Sequence, residues 1–401
     1  MSAPALLPSR LFGAFDRHNF GDLLLPHLLT ALLPGRCFAY AGLASRDLRR
    51  FGGHGVLPLD SPGASRPAHL IHAGGEVLTC GAWEAAVMLL DGAAAARTIA
   101  RYDDDPAAAA AWAANQLGTT RSAPYVAGRA FVAPPGKLVF NAVGGVEWAS
   151  MPTDRREEVK TALRDADWLS VRDHVTQRAL HAEGILAELC PDPAVMVRAC
   201  FDQTIRQHQA VLKPVRQDFP RGYLAVQFSA DFADDASLAA LAQQLSRVSA
   251  TTGLGLVFFR AGAAPWHDDQ GLYEKVMGRL LPGSAFVFES LHLWDICALI
   301  AASRGGIASS LHARLVAMAY GLPRVSIRSP QQGARPDKVG AFAATWEPPQ
   351  LRRCVEVNEI EAAVLQALDL SPDLLLEHAA WLCATCTSSL AQWRDGLSGA
   401  V

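Results

Sequence analysis

With 401 residues, half of them hydrophobic, the chain is too long for one ordinary domain and long enough for two full cores. A formal net charge of -3 with no run of Lys or Arg argues against non-specific nucleic-acid binding, so any anion site must gather its positive charge locally. No apolar stretch reaches the length of a membrane span and residues 1–10 lack the pattern of a signal peptide, so a cytoplasmic protein with no transmembrane segment is expected.

Short β-rich runs alternate with helical patterns along the chain. Residues 11–15 read as a strand and 22–33 as an apolar-rich helix. A strand at 70–73 runs into Gly74-Gly75, and the alanine-rich residues 106–116 read as helix. Strands at 138–143 and 168–171 follow, the first running into Gly144-Gly145 and the second into a helix that ends near Glu183. Residues 198–221 are polar and charged with two prolines, and the domain boundary is placed there.

A second alternation then begins. Strands are expected at 223–228, 254–260, 285–288, 306–308 and 324–327, with helices at 236–251, 272–281, 293–302 and 311–320. Residues 359–397 read as mostly helical. The expected fold is α/β, two Rossmann-like doubly wound domains facing a cleft. The domain limits are 1–205 for the N-terminal domain and 220–370 for the C-terminal one, with closing helices at 371–401. The eight cysteines are scattered, unlike a disulfide framework. Cys383-x-x-Cys386 lacks a second ligand pair and reads as two small apolar residues of a helix, and no ligand cluster argues for a metal.

Three segments carry candidate chemistry. In Gly305-Gly306-Ile307-Ala308-Ser309-Ser310-Leu311-His312 a strand ends and a helix begins, placing His312 in the helix's first turn. Open N–H groups at Ser310 and Leu311 make that spot an anion site, and an imidazole there moves protons near neutral pH. Gly321 stops the helix, and Pro323 prevents its continuation. In the first strand-to-helix link, Asn19-Phe20-Gly21-Asp22, Gly21 permits close backbone approach and Asp22 is placed to cap the helix. At Ser170-Val171-Arg172-Asp173, Arg172 stands at a strand's carboxyl end, where it serves as a carboxylate or phosphate clamp. Gly74 and Gly75, Glu289, Lys338 and the Arg260, His267, Asp268, Asp269 group are further candidates, each of which also has a plain structural reading.

In order, these segments resemble the polysaccharide pyruvyl transferase family, whose pattern runs Asn-x-Gly-Asp, a Gly pair, Ser-Val-Arg-Asp, Asp-Pro and Leu-His followed by Gly-x-Pro. Here the matching residues are Asn19 to Asp22, Gly74-Gly75, Ser170 to Asp173, Asp192-Pro193, Leu311-His312 and Gly321-Leu322-Pro323. The resemblance implies a glycosyltransferase-B-like fold and transfer of pyruvate from phosphoenolpyruvate onto a pair of sugar hydroxyls as a ketal, in polysaccharide or glycoconjugate biosynthesis. It implies His312 as the catalytic acid. Arg172, Ser310, Leu311 and Lys338 would hold the donor, and Asn19, Gly21, Asp22, Gly74, Gly75 and Glu289 would line the acceptor side. The partners are then phosphoenolpyruvate and a sugar or glycan acceptor, lipid-linked ones included, with no cofactor and no metal.

Many members carry Arg two residues before the histidine, where this chain has Ser310. Arg314 is a poor replacement, since two residues along a helix turn it about 200° away. Arg328 and Arg335 are the expected substitutes. Two other readings fit the same fold: a glycosyltransferase using a nucleotide sugar, and a diverged binding protein without catalysis.

Overall fold

The computed structural model describes residues 8–60, 69–330, 333 and 336–398. The chain forms two compact units. The first holds residues up to 18, 22–193 and those from 384 onward; the second holds 19–21 and 194–383.

The first unit carries a sheet of eight strands: β1 (Ser9–Phe12), β2 (Phe38–Gly42), β3 (Arg46–Asp47), β4 (Gly55–Pro58), β5 (His69–His72), β6 (Leu138–Val143), β7 (Trp168–Val171) and β8 (Glu188–Leu189). Their spatial order is β3-β4-β2-β1-β5-β6-β7-β8, and every pair is parallel except β3 with β4. The second unit carries six strands: β9 (Tyr223–Gln227), β10 (Gly255–Phe259), β11 (Ala285–Phe288), β12 (Gly305–Ala308), β13 (Arg324–Ile327) and β14 (Cys354–Val355). These run in parallel in the order β11-β10-β9-β12-β13-β14.

Parallel sheets need helical crossovers on both faces, so their central strands are buried throughout and read as continuous apolar runs. Tyr-Leu-Ala-Val-Gln of β9 and Gly-Leu-Val-Phe-Phe of β10 are buried at every position. Each unit has its own core, around Phe140, Leu138 and Tyr125 in the first and around Phe258, Phe228 and Tyr273 in the second.

In both sheets the strand order reverses once: between β1 and β5 in the first unit, and between β9 and β12 in the second. Crossovers on the two sides of such a point run to opposite faces and leave an opening at the strands' carboxyl ends, where ligands bind in open α/β sheets. The segments singled out in the sequence fall at these ends. Gly74-Gly75 follows β5, Arg172 follows β7 and Ser309-Ser310 follows β12.

The polar stretch 198–221 does not separate the units. It folds as the helices Val197–Gln207 and Lys213–Asp218, joined by the 3-10 turn His208–Leu212, all within the second unit. Val197, Ile205, Leu212 and Val215 are buried and supply an apolar face that the charged composition obscures. Cys383 and Cys386 lie on the helix Pro372–Arg394 as unbridged thiols. Among the described residues no helix is long and apolar enough to cross a membrane.

Candidate functional site

The second unit's strand ends build a polar cavity of about 210 Å3. Gln227, the last residue of β9, organises it. Its side-chain carbonyl accepts the backbone N–H groups of Ser309 (3.1 Å) and Ser310 (2.9 Å) across the reversal point. Its amide nitrogen therefore points the other way and donates to Asp268 at 2.8 Å. Asp268 in turn accepts the N–H groups of Ala261 and Gly262, just beyond β10. One glutamine and one carboxylate thus tie the ends of three neighbouring strands together.

Burial pushes the Asp268 carboxyl up to about 7, against the donors around it that favour its charged form. The folded-state value lies above the ordinary one, so the folded chain binds the proton more tightly than the unfolded chain does. This contribution to stability is present at low pH and is lost as pH rises from about 4 to about 7. The expected result is that the thermal midpoint of the native protein, relative to that of Asp268→Asn, falls across this interval and levels off above it. A difference that does not change with pH refutes the assignment.

Ser310 caps the helix Leu311–Ala319, its hydroxyl accepting the Ala313 N–H. The helix is buried at every position and ends at Gly321, whose φ of 64° a side chain would strain. The free N–H expected at Ser310 is instead engaged by Gln227, because a strand end next to the reversal point needs an acceptor for it. Leu311 is 1 % exposed, so its side chain belongs to the core.

His312 is 8 % exposed and does not line the cavity, although Ser309 and Ser310 do. Its imidazole lies against the Asn19-Phe20-Gly21 segment, which packs with the second unit. The Phe20 ring meets it edge-on at 6.4 Å, and a Cβ on Gly21 would lie 2.0 Å from its Nδ1. Gly21 is therefore required by close approach. Asn19 holds the segment twice: its carbonyl accepts the Gly21 N–H (3.1 Å), and its amide donates to His267 Nε2 (3.0 Å). His267 Nδ1 faces the Pro265 carbonyl at 3.1 Å, which fixes Nδ1 as the protonated nitrogen and Nε2 as the acceptor. Asn19, not Asp22, caps the first helix, Phe20–Leu32. An alanine in a helix ordinarily stabilises by up to about 1 kcal/mol relative to glycine. Here Gly21→Ala is expected to lower the thermal midpoint and activity together, by displacing the imidazole. A stabilised, active Gly21→Ala protein contradicts this packing.

The other sequence candidates separate. Lys338 lines the cavity at the start of the helix Lys338–Trp346, together with Asp337, which caps that helix through the Gly340 N–H. Arg328, expected to face the donor, points instead to Asp337 (3.6 Å) and the Gly333 carbonyl (3.0 Å), holding the loop that presents Lys338. Arg335 lies outside the described residues. Arg314 is 2 % exposed and is bound bidentately by Glu347 at 2.8 and 2.7 Å, so it plays no part in the cavity. Glu289 is exposed at the end of the edge strand β11 and is not a lining residue.

Asp22, Gly74, Gly75 and Arg172 belong to the first unit. Gly74 and Gly75 have φ of 115° and 87°, and a Cβ on Gly75 would stand 3.3 Å from an Asp22 carboxylate oxygen. Arg172, expected as an open clamp, is 1 % exposed, with its terminal nitrogens bound to Glu76 (2.6 Å) and Asp192 (3.0 Å). A guanidinium at that depth requires such partners, and here they are the residues that follow β5 and β8. Arg17 was missed as an individual candidate. It lies beyond β1 and donates to Tyr125 (2.7 Å), and the Asp22 and Asp16 carboxyl groups favour its charge against its burial. Gln227 was missed as well. Its one legible signal was a polar residue closing an otherwise apolar strand.

Comparison with known proteins bears on family and fold. The sequence profile of the polysaccharide pyruvyl transferase family matches residues 19–329. A search of curated proteins gives no match. Among solved structures, the fold resembles UDP-GlcNAc 2-epimerase from Neisseria meningitidis bound to UDP-GlcNAc, with a TM-score of 0.53 at 10% identity over 96% of this chain and 98% of that one. It also resembles Anabaena Alr3699/HepE in complex with UDP-glucose, with a TM-score of 0.50 at 11% identity over 98% and 99% of the two chains. UDP-N-acetylglucosamine 2-epimerase from Rickettsia bellii gives a TM-score of 0.50 at 11% identity, over 98% of each chain. These likenesses concern the fold alone, two Rossmann-like α/β units of the glycosyltransferase-B-like kind. The profile match covers most of the chain, and the chain belongs to the polysaccharide pyruvyl transferase family.

Proposed function

We propose that this protein transfers the pyruvyl group of phosphoenolpyruvate to two hydroxyls of a sugar, forming a cyclic ketal. The observation that carries the reading is the meeting of Gly21 with His312. It joins the Asn-x-Gly-Asp and Leu-His segments, which lie far apart in the chain, beside a cavity lined by Lys338 and two serines.

Protonation of the donor's methylene carbon makes the neighbouring carbon cation-like, and a sugar hydroxyl adds there. The C–O bond to phosphate then breaks, a second hydroxyl adds to the same carbon, and the ring closes. Of the two hydroxyl protons released, one balances the proton delivered to carbon and the other leaves with phosphate. The imidazolium of His312 is the proton donor. Its low exposure keeps bulk water from the transferred proton. Lys338 Nζ and the Ser309 and Ser310 hydroxyls hold the donor's anionic groups, with Arg328 steadying the Lys338 loop through Asp337. The acceptor is a sugar or glycan.

Calorimetric titration with phosphoenolpyruvate, UDP-glucose and GDP-mannose tests the donor. Saturable binding is expected for phosphoenolpyruvate alone, weakened roughly 10-fold or more in Lys338→Ala, the loss of one charged hydrogen bond. Binding of a nucleotide sugar instead, or of none of the three, overturns the donor assignment.

A further inference from the structure

We infer that the second unit contains a divalent transition-metal site built from His208, His292 and Asp295, separate from the cavity at His312. One ligand atom from each of the three lies within 4.8 Å of the others. In sequence these residues are unremarkable, since His208 stands far from the other two. The fold brings the 3-10 turn His208–Leu212 against the start of the helix Leu293–Ala301, which His292 precedes and Asp295 enters in its first turn.

Three features of the geometry favour a metal ion over a simple ion pair. The two imidazole rings lie almost parallel, with centroids 4.9 Å apart at 14°, so that ring nitrogens of two separate segments stand side by side. His292 Nδ1 is buried without a hydrogen-bond partner. Asp295 already has a ligand's division of labour: Oδ2 accepts the Ser290 hydroxyl at 2.6 Å, while Oδ1 faces His208 Nδ1 at 2.6 Å. A fixed outer oxygen and an inward-facing one are what a second-shell donor imposes on a metal-bound carboxylate.

The donor set of two imidazoles and a carboxylate suits zinc or cobalt(II), which bind N and O at about 2.0–2.2 Å with water in the fourth position. The Asp295 charge offsets the unfavourable dipole that the helix start presents to a cation. None of the three residues lines the polar cavity built by Gln227, Ser309 and Ser310. Bound metal would staple the His208 turn to the helix that leads into β12.

The test uses the full chain stripped with EDTA and titrated with zinc chloride by calorimetry, then with cobalt(II) followed by visible absorption. One equivalent of zinc per chain is expected, together with the cobalt(II) spectrum of a tetrahedral N/O site free of thiolate charge-transfer bands. Binding should be lost in His292→Ala and Asp295→Asn and kept in Cys383→Ser/Cys386→Ser. Ser290→Ala should bind about 10–100-fold more weakly. His208→Gln and His292→Asn, which keep the side chains polar, repeat the test should the first variants fail to fold. No stoichiometric binding by the native chain overturns the site. So does binding that survives in folded His208→Gln/His292→Asn.

Discussion

His312→Gln is expected to lower kcat by about 10²–10⁴-fold, the usual contribution of a general acid. Glutamine keeps a polar side chain of similar reach but carries no transferable proton at neutral pH. The helix Leu311–Ala319 is anchored by the Ser310 cap and by its other buried residues as well as by the imidazole, so the fold should survive. The effect should fall on kcat. Affinity for phosphoenolpyruvate, which rests on Lys338 and the serines in this scheme, should change little. A folded His312→Gln enzyme with near-native turnover removes His312 as the proton donor. A large loss of donor affinity with unchanged kcat would make it a binding residue instead.

Arg172→Ala is expected to act mainly on stability. The guanidinium is 1 % exposed between Glu76 and Asp192, and its loss removes the cation facing Asp192, which is 0 % exposed. Breaking a buried pair from one side typically costs about 3–5 kcal/mol. For a unit of this size that corresponds to a fall in thermal midpoint on the order of 10 °C. The Gly144 region should loosen too, since a Cβ there would already lie 2.3 Å from Glu76 and 2.8 Å from Arg172. Thermal melts of Arg172→Ala and of the charge-balanced Arg172→Met/Asp192→Asn decide the matter. A midpoint within 2 °C or so of native for Arg172→Ala would mean that the arginine is held loosely enough to serve a ligand as a clamp.

The site was legible in the sequence to the extent that it depends on local chain geometry. Ser310, Leu311 and His312 follow a strand, and Gly321 with Pro323 ends their helix, because capping and stop signals act within a few residues. Gly21 was marked by its lack of a side chain, but not the imidazole that requires it, since close approach between distant segments leaves no local trace. The elements themselves were readable because fully buried parallel strands are short apolar runs closed by turn residues. That pattern misled over residues 198–221, where charged residues on the outer face of two helices resemble a linker, and it left unread the short outer strands β2, β3, β4, β8 and β14 and the helices Gly92–Tyr102 and Thr153–Arg164.

Tertiary structure alone decided which charges remain available. Arg172, Arg314 and Arg328 are indistinguishable from binding residues as letters, yet carboxylates at Glu76, Asp192, Glu347 and Asp337 engage all three. Lys338 is left as the cation lining the cavity among the described residues. The role of Gln227 and the assembly of His208 with His292 and Asp295 were likewise set by strand order and helix packing. Sequence by itself determined two parallel α/β units and the segments at their strand ends, because burial and turn chemistry are written in residue type. Which side chains face a ligand depends on the partners that folding brings, and no spacing in the chain encodes them.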